Sequence, residues 1–297
     1  MKKYLTMDIG GTFIKYSVMD PNYNEEYINS VPTKEDPEEF RKQLLRIVDE
    51  VKESIHGIAI SIGGFINPIS CENTDFSVGK NFTSFNLKEE LSKYSGLPVS
   101  LENDSNCAAL AEMKLGAGKE CSDMCVITIG TGIGGAIIHN RKLFRGRNFK
   151  AGEFGLCLIK KEKVNGEYFY VNAPATSDLV ERVSRALNKD IDGTYIFNNM
   201  DNQLIREIYT DWLEDIAILV GNTALSLDSE KILIGGGISA QKVFIKDLRD
   251  KVYSIYGHLK DYTKIEACTL LNHAGKIGAL IEYFNRYGSE EGIYEGN

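Results

Sequence analysis

No stretch of the 297-residue sequence approaches the roughly 20 consecutive apolar residues a membrane helix requires, so a membrane protein is not expected. Positive charge is also in short supply. Lys and Arg number 34 against 42 Asp and Glu, a net charge of −8, which argues against nucleic acid as a partner. The six cysteines, Cys71, Cys107, Cys121, Cys125, Cys157 and Cys268, are scattered, and three residues separate Cys121 from Cys125. That spacing makes neither a CxxC redox site nor a zinc knuckle, and reduced thiols of a cytoplasmic protein are expected. A strand is read almost at once, at Tyr4-Leu5-Thr6-Met7, leaving no room for a signal peptide. Low-complexity segments and long linkers are missing too. So are the two common nucleotide-binding fingerprints, G-x-x-x-x-G-K-[ST] and a G-x-G-x-x-G that runs straight into a helix.

Glycine-rich turns after apolar runs are what the chain does have. Met7-Asp8-Ile9-Gly10-Gly11-Thr12 is the first, and Thr128-Ile129-Gly130-Thr131-Gly132-Ile133-Gly134-Gly135 follows Cys125-Val126-Ile127. Ile232-Leu233-Ile234 leads into Gly235-Gly236-Gly237. Between the first two lies Glu102-Asn103-Asp104-Ser105. Glycine lets the backbone approach a phosphate with its N–H groups aimed inward, and a carboxylate between such turns can serve as a base. The combination points to phosphoryl transfer, which needs an aligned nucleophile, neutralised charge and a proton acceptor.

The periodicity predicts an α/β protein. The first turn reads as a hairpin into Phe13–Met19, followed by an amphipathic helix from Pro37 to Ser54 with apolar Phe40, Leu44, Leu45, Ile47, Val48 and Val51. Gly57–Ile62 is nearly all apolar, as in a strand buried on both faces. A helix from Asn86 to Tyr94, capped by Asn86, stops at Gly96-Leu97-Pro98. Val99-Ser100-Leu101 then delivers Glu102-Asn103-Asp104 to a helix over Ser105–Leu115. The pattern restarts after Gly116-Ala117-Gly118, with strands at Cys125–Ile129 and Ala136–His139. Helices at Ser177–Leu187 and Asp201–Leu227, a buried strand at Lys231–Ile234 and a final helix at Ala274–Tyr287 complete it. Two copies of strand, glycine turn and strand suggest an α/β duplication with a central cleft. The halves would be residues 1–117 and 118–297, with the final helix able to pack back on the N-terminal domain.

Each motif has a plain reading beside the chemical one. Asp8 with Gly10, Gly11 and Thr12 is either a tight hairpin or a phosphate nest whose carboxylate orders Mg²⁺ through water. The Gly130–Gly135 turn adds the Thr131 hydroxyl as a donor, and Gly235-Gly236-Gly237 would let an adenine or ribose lie flat. Asp104 is either part of an Asn-Asp helix cap or the base, and both can hold at once. Asn103 beside it could grip a sugar hydroxyl. Glu153, set among glycines in Ala151-Gly152-Glu153-Phe154-Gly155, suits a ligand better than a bare surface.

These motifs, in this order, resemble the ROK family of sugar kinases and repressors within the actin-like ATPase superfamily. The resemblance covers nearly the whole chain. It implies two actin-like (ribonuclease H-like) domains closing over ATP-Mg²⁺ and a sugar, with Asp104 as the base toward a 6-hydroxyl. Asn103 and Glu153 would hold the ring hydroxyls, Gly64 and Asn81 would line the same pocket, and the protein would be a homodimer. Two departures narrow the match. Many ROK kinases carry a His after the Gly-Glu-x-Gly motif and then a cysteine-rich zinc loop. Here Leu156 follows Gly155, and Lys163–Asp178 contains neither Cys nor His. The stretch from Glu102 to Gly155 is itself similar to the zinc-less β-glucoside kinases, with glucose and N-acetylmannosamine as alternative substrates. A repressor would need a helix-turn-helix segment, and none is expected ahead of Asp8. A sugar-sensing regulator without catalysis fits poorly with retention of Asp104 and all three turns. Four N/S ligands cannot be assembled in Lys163–Asp178, so protein dialysed against chelator should hold no stoichiometric zinc. One zinc per chain by elemental analysis would place its ligands elsewhere.

Overall fold

The computed structural model describes residues 1–72 and 86–288. The chain forms two compact units. The first comprises Met1–Ala111, Gly146–Lys150 and the chain from Asn272 onward, and the second Glu112–Arg145 and Ala151–Leu271. The first passage between them falls a few residues ahead of the Gly116-Ala117-Gly118 turn singled out in the sequence.

The first unit is built on a five-stranded sheet of β1 (Tyr4–Ile9), β2 (Phe13–Met19), β3 (Glu25–Pro32), β4 (Ile58–Ile62) and β5 (Val99–Asn103), in the order β3-β2-β1-β4-β5. The glycine turn makes β1 and β2 antiparallel, whereas β4 and β5 run parallel to β1. In this register Asp8 stands opposite Lys15 on one side and Ser61 on the other. The apolar run at β4 is buried at every position, as its composition requires. β3 has no counterpart in the sequence reading. It is exposed, acidic at its start and without alternation, and its pairing to β2 makes it a strand.

Local signals mark the helices well. In α1 (Pro37–Asp49), Asp36 accepts the N–H groups of Glu38 and Glu39 at 3.0 and 2.9 Å, and Pro37 opens the first turn. The α-helix ends at Asp49, earlier than its apolar pattern suggests, and Lys52–Ser54 form a 3₁₀ turn. Asn86 caps α2 (Leu87–Ser95), and Gly96 stops it at φ 72°. The helix α3 (Asp104–Leu115) follows β5 without a loop.

The last helix, α8 (Ala274–Tyr287), belongs to the first unit and packs across β1, β4 and β5. It docks at a distance only glycine permits. A Cβ on Gly278 would lie 1.8 Å from the Cys107 carbonyl oxygen in α3, and one on Gly57 would lie 2.2 Å from Tyr283 Oη. Near its start the buried Lys276 Nζ meets Glu25 Oε2 at 2.6 Å, and His273 Nδ1 lies 3.0 Å from the other Glu25 oxygen.

The second unit repeats the arrangement. Its sheet of β6 (Met124–Ile129), β7 (Ile133–His139), β8 (Lys142–Phe144), β11 (Lys231–Gly235) and β12 (Lys264–Ala267) is ordered β12-β11-β6-β7-β8. β6, β7 and β8 are antiparallel neighbours, and β11 and β12 are parallel to β6. This is the duplicated, actin-like α/β architecture expected from the motif order. Helices α4 (Thr176–Leu187), α5 (Gly193–Asn198), α6 (Gln203–Leu227) and α7 (Lys242–Ile255) cover the sheet. Trp212 of α6 is fully buried, packs on Tyr209 and Phe244, and donates its indole N–H to the Pro174 and Ala175 carbonyls at 3.1 and 2.9 Å. A separate ribbon, β9 (Leu158–Val164) and β10 (Glu167–Asn172), occupies the segment read as unable to bind zinc.

Gly278→Ala should cost the protein about 1–3 kcal/mol or more, because α8 or α3 must move to admit the methyl group. Urea unfolding followed by circular dichroism measures this, and an unchanged midpoint would contradict the tight α3–α8 contact.

Candidate active site

In the first unit the carboxyl ends of β1, β4 and β5 bring together Asp8, Gly10–Thr12, Gly64, Asn103 and Asp104. Ser61 donates its hydroxyl to Asp8 Oδ1 at 2.7 Å. Asn103 caps α3, with Oδ1 accepting the Asn106 N–H at 3.0 Å, and its Nδ2 donates to the Gly64 carbonyl at 3.0 Å. That bond joins two of the residues expected to line the sugar pocket. An amide has two N–H groups, so the tie to Gly64 uses only part of its capacity. Asp104 occupies the first helical position, with the Ser105 N–H 2.7 Å from Oδ1. The cap reading of the Asn-Asp pair therefore holds for Asn103, and Asp104 is left at the strand–helix corner. Beneath them Glu102 is fully buried and accepts the Asn103 N–H and Asn106 Nδ2 at 2.8 and 2.9 Å. Asn81 lies outside the described residues.

The glycines separate into two kinds. Gly235, Gly236, Gly135, Gly152 and Gly155 are dictated by packing. A Cβ on Gly236, at φ 83°, would sit 2.2 Å from the Ile129 carbonyl oxygen, and one on Gly235 would lie 3.2 Å from Thr128. Gly152 and Gly155 bring their backbone against Gly135 and Ile133 of β7, which sets Glu153 beside the Gly130–Gly135 turn. By contrast, a Cβ on Gly11, Gly130, Gly132 or Gly237 would meet nothing within 4 Å, and none of these has positive φ. Neither packing nor backbone conformation calls for glycine there. Bare backbone facing open space is what a phosphate or a flat nucleoside needs.

The turns themselves are held from behind. Gly10 donates to the Phe13 carbonyl at 3.0 Å, and Thr33 bonds the Gly10 and Thr12 carbonyls at 2.7 and 2.9 Å. In the second unit the start of α4 latches the turn, the Thr176 N–H to the Gly130 carbonyl at 3.0 Å and Ser177 Oγ to the Thr131 carbonyl at 2.7 Å. Their carbonyls are thus engaged from the protein side. Sequence reasoning missed Ser61, Thr33 and Ser177 in these supporting roles. Only Ser61 carried a signal, as the one hydroxyl in the apolar run of β4.

Asp8 is partly buried, and that desolvation raises its pKa above the ordinary carboxylate value. The Ser61 hydroxyl, Lys15 and Lys276 oppose the rise. Asp104 is open to solvent, yet the protein gathered around it displaces enough water to raise its pKa, against the Ser105 N–H. The nearby Asp8 charge adds to the rise. Two carboxylates near enough for the Asp8 charge to raise the proton affinity of Asp104 suit a divalent cation, and Mg²⁺ takes few protein oxygens because it keeps its water. No cluster of three or more His, Cys, Asp or Glu side chains able to hold a metal occurs among the described residues. The Asp8 carboxylate, with Oδ1 held by Ser61, is a donor of the kind that meets Mg²⁺ through water.

Removing the α3 cap by Asn103→Ala should cost about 1 kcal/mol and release Gly64 from β5. Thermal unfolding checks the first effect. Equal stability of the variant and the parent protein would mean that the cap contributes nothing.

The sequence profile of the ROK family matches residues 4–283. A β-glucoside kinase of Listeria innocua is 36% identical, with 97% of this chain and all of that protein aligned. A β-glucoside kinase of Klebsiella pneumoniae is 31% identical over 97% of this chain and 98% of its own length. Among solved structures, a ROK family protein from Streptococcus pneumoniae in complex with sucrose superposes with a TM-score of 0.81. It is 32% identical, and the alignment covers 95% of this chain and 98% of that one.

Proposed function

Because the chain belongs to the ROK family, we propose that it is an ATP-dependent sugar kinase acting on the 6-hydroxyl of the non-reducing glucose unit of a β-glucoside. The observation that carries the kinase reading is that the chain holds both Asp104, exposed at the β5–α3 corner, and turns in which Gly11, Gly130, Gly132 and Gly237 are required by nothing in the described protein. Full-length similarity to β-glucoside kinases supports the substrate class, as does a relative whose structure is in complex with sucrose, a disaccharide. Leu156, 63% exposed, presents no hydrogen-bonding group after Gly155. A site that makes no bond to a hydroxyl discriminates weakly against its replacement by an aglycone.

In this reading the N–H groups of Gly11 and Thr12 and of Thr131 and Gly132 hold the ATP phosphates, with the Thr131 hydroxyl as an added donor, and Gly237 admits the nucleoside. Asn103 and Glu153 orient the sugar hydroxyls, with Gly64 lining the pocket. Asp104 accepts the proton of the 6-hydroxyl as its oxygen attacks the γ-phosphorus, and ADP leaves. Asp8 would hold Mg²⁺ through water, and that ion neutralises charge on the phosphates when bound.

Asp104→Asn keeps the shape but cannot take the proton, so kcat should fall by about 10²–10⁴-fold while sugar binding persists. Retention of more than about a tenth of parental kcat would remove Asp104 from the role of base. The pH profile carries the same information. Only the ionised carboxylate accepts a proton, so kcat/KM should decline as pH falls through the Asp104 pKa, at a pH above the ordinary value of 3.8.

A coupled ADP-release assay against cellobiose, aryl β-glucosides, glucose, N-acetylmannosamine and fructose tests the substrate class. β-Glucosides or cellobiose should equal or exceed glucose in kcat/KM. Glucose favoured by more than about a hundredfold would sink the glucoside assignment and leave the kinase standing. Absence of ADP release with every sugar would count against the kinase itself.

A further inference from the structure

Two residues on either side of Asp8 make choices that packing alone does not explain. Ser61 is the only hydroxyl in β4, where Ile58, Ala59, Ile60 and Ile62 are all buried, and it is itself fully buried. Burying a hydroxyl costs free energy unless it is bonded, and alanine would fill the same place. Its side-chain bond is to Asp8 Oδ1, at 2.7 Å. Gly275 stands in the first turn of α8 without positive φ, although glycine is about 1 kcal/mol less favourable than alanine inside a helix. A Cβ there would lie 2.6 Å from Asp8 Oδ1, 2.7 Å from its Cγ and 3.0 Å from Oδ2. Ser61 and Gly275 therefore converge on one carboxylate, the first by a bond and the second by close approach.

We infer that Ser61 and Gly275 are positioning residues that hold the Asp8 carboxylate in the one orientation able to order the metal ion of the phosphoryl-transfer site. This rests on the reading of Asp8 as the carboxylate for hydrated Mg²⁺. With Oδ1 held by Ser61 and the carboxylate pressed against the first turn of α8, the group has little room to rotate. A hydrated ion bound through a single carboxylate depends on that orientation more than one held by several ligands. Groups that orient a metal ligand from behind commonly contribute 10–100-fold to metal affinity.

The test is calorimetric titration of ADP into the parent protein and into Ser61→Ala, Gly275→Ala and Asp8→Asn, each in Mg²⁺ and in chelator. The ratio of the two dissociation constants measures the metal's contribution without turnover. For Ser61→Ala that ratio should shrink by about tenfold, with ADP affinity in chelator and sugar affinity unchanged within about twofold. Ser61→Thr, which retains the hydroxyl, should lie nearer the parent. Gly275→Ala should behave like Ser61→Ala, and if it fails to fold the Ser61 pair decides alone. A full Mg²⁺ gain in Ser61→Ala alongside its loss in Asp8→Asn would overturn the positioning role only. A full gain in Asp8→Asn as well would overturn both that role and the reading of Asp8 on which it stands.

Discussion

The close docking of α8 is the constraint on which the first unit depends. A helix from the end of the chain lies across the three parallel strands that carry the site, and it reaches them only because Gly278 has no side chain to strike the Cys107 carbonyl. That contact places α8 against the very helix that begins with Asp104. Three residues earlier, Gly275 brings the same helix onto Asp8. One rigid element thereby constrains the surroundings of both carboxylates. Backbone-to-backbone packing of this kind tolerates little adjustment, because protein interiors are already as dense as molecular crystals.

Glycine serves opposite purposes in and around these turns. Gly236, Gly152 and Gly155 allow the protein to approach itself, and substituents there would collide with carbonyl oxygens at 2.2–2.6 Å. Gly11, Gly130, Gly132 and Gly237 face space in which a Cβ would touch nothing. The first group builds the platform and the second leaves open space over its backbone. Hydrogen bonds from Thr33, Thr176 and Ser177 engage the carbonyls of these turns from the protein side. Such division of labour gives an anion site its selectivity, since a carbonyl turned inward would repel phosphate.

The acidic pair shows why electrostatics and geometry must be read together. Desolvation raises the pKa of both Asp8 and Asp104, and the Asp8 charge adds to the rise at Asp104. Lys15, opposite Asp8 on β2, and Lys276 on α8 offset part of that cost for Asp8, while Glu25 neutralises Lys276 in turn. Those lysines act on Asp8 without bonding it directly, and Ser61 is the side chain that holds its Oδ1.

Much of this was legible in the linear sequence. The glycine turns, the duplicated strand–turn–strand pattern, the cap at Asn86 and the candidate base Asp104 all depend on short-range chemistry, which neighbouring residues disclose. β3 was not legible, because an exposed edge strand owes its conformation to the strand it pairs with. Nor was the end of α1 at Asp49, where the apolar pattern runs on past the helix. The sequence could name Gly235-Gly236-Gly237 as one motif, but only the tertiary structure separated the packed Gly236 from the open Gly237. It likewise could place Asn103 beside Asp104, but not disclose that its amide reaches Gly64, or that Ser61 and Gly275 meet at Asp8. The sequence by itself determined the family, the glycine turns and most of the elements that present the candidate site residues, because composition and spacing are local properties. Which side chains touch was decided by strands and helices distant along the chain, and no local pattern encodes that distance.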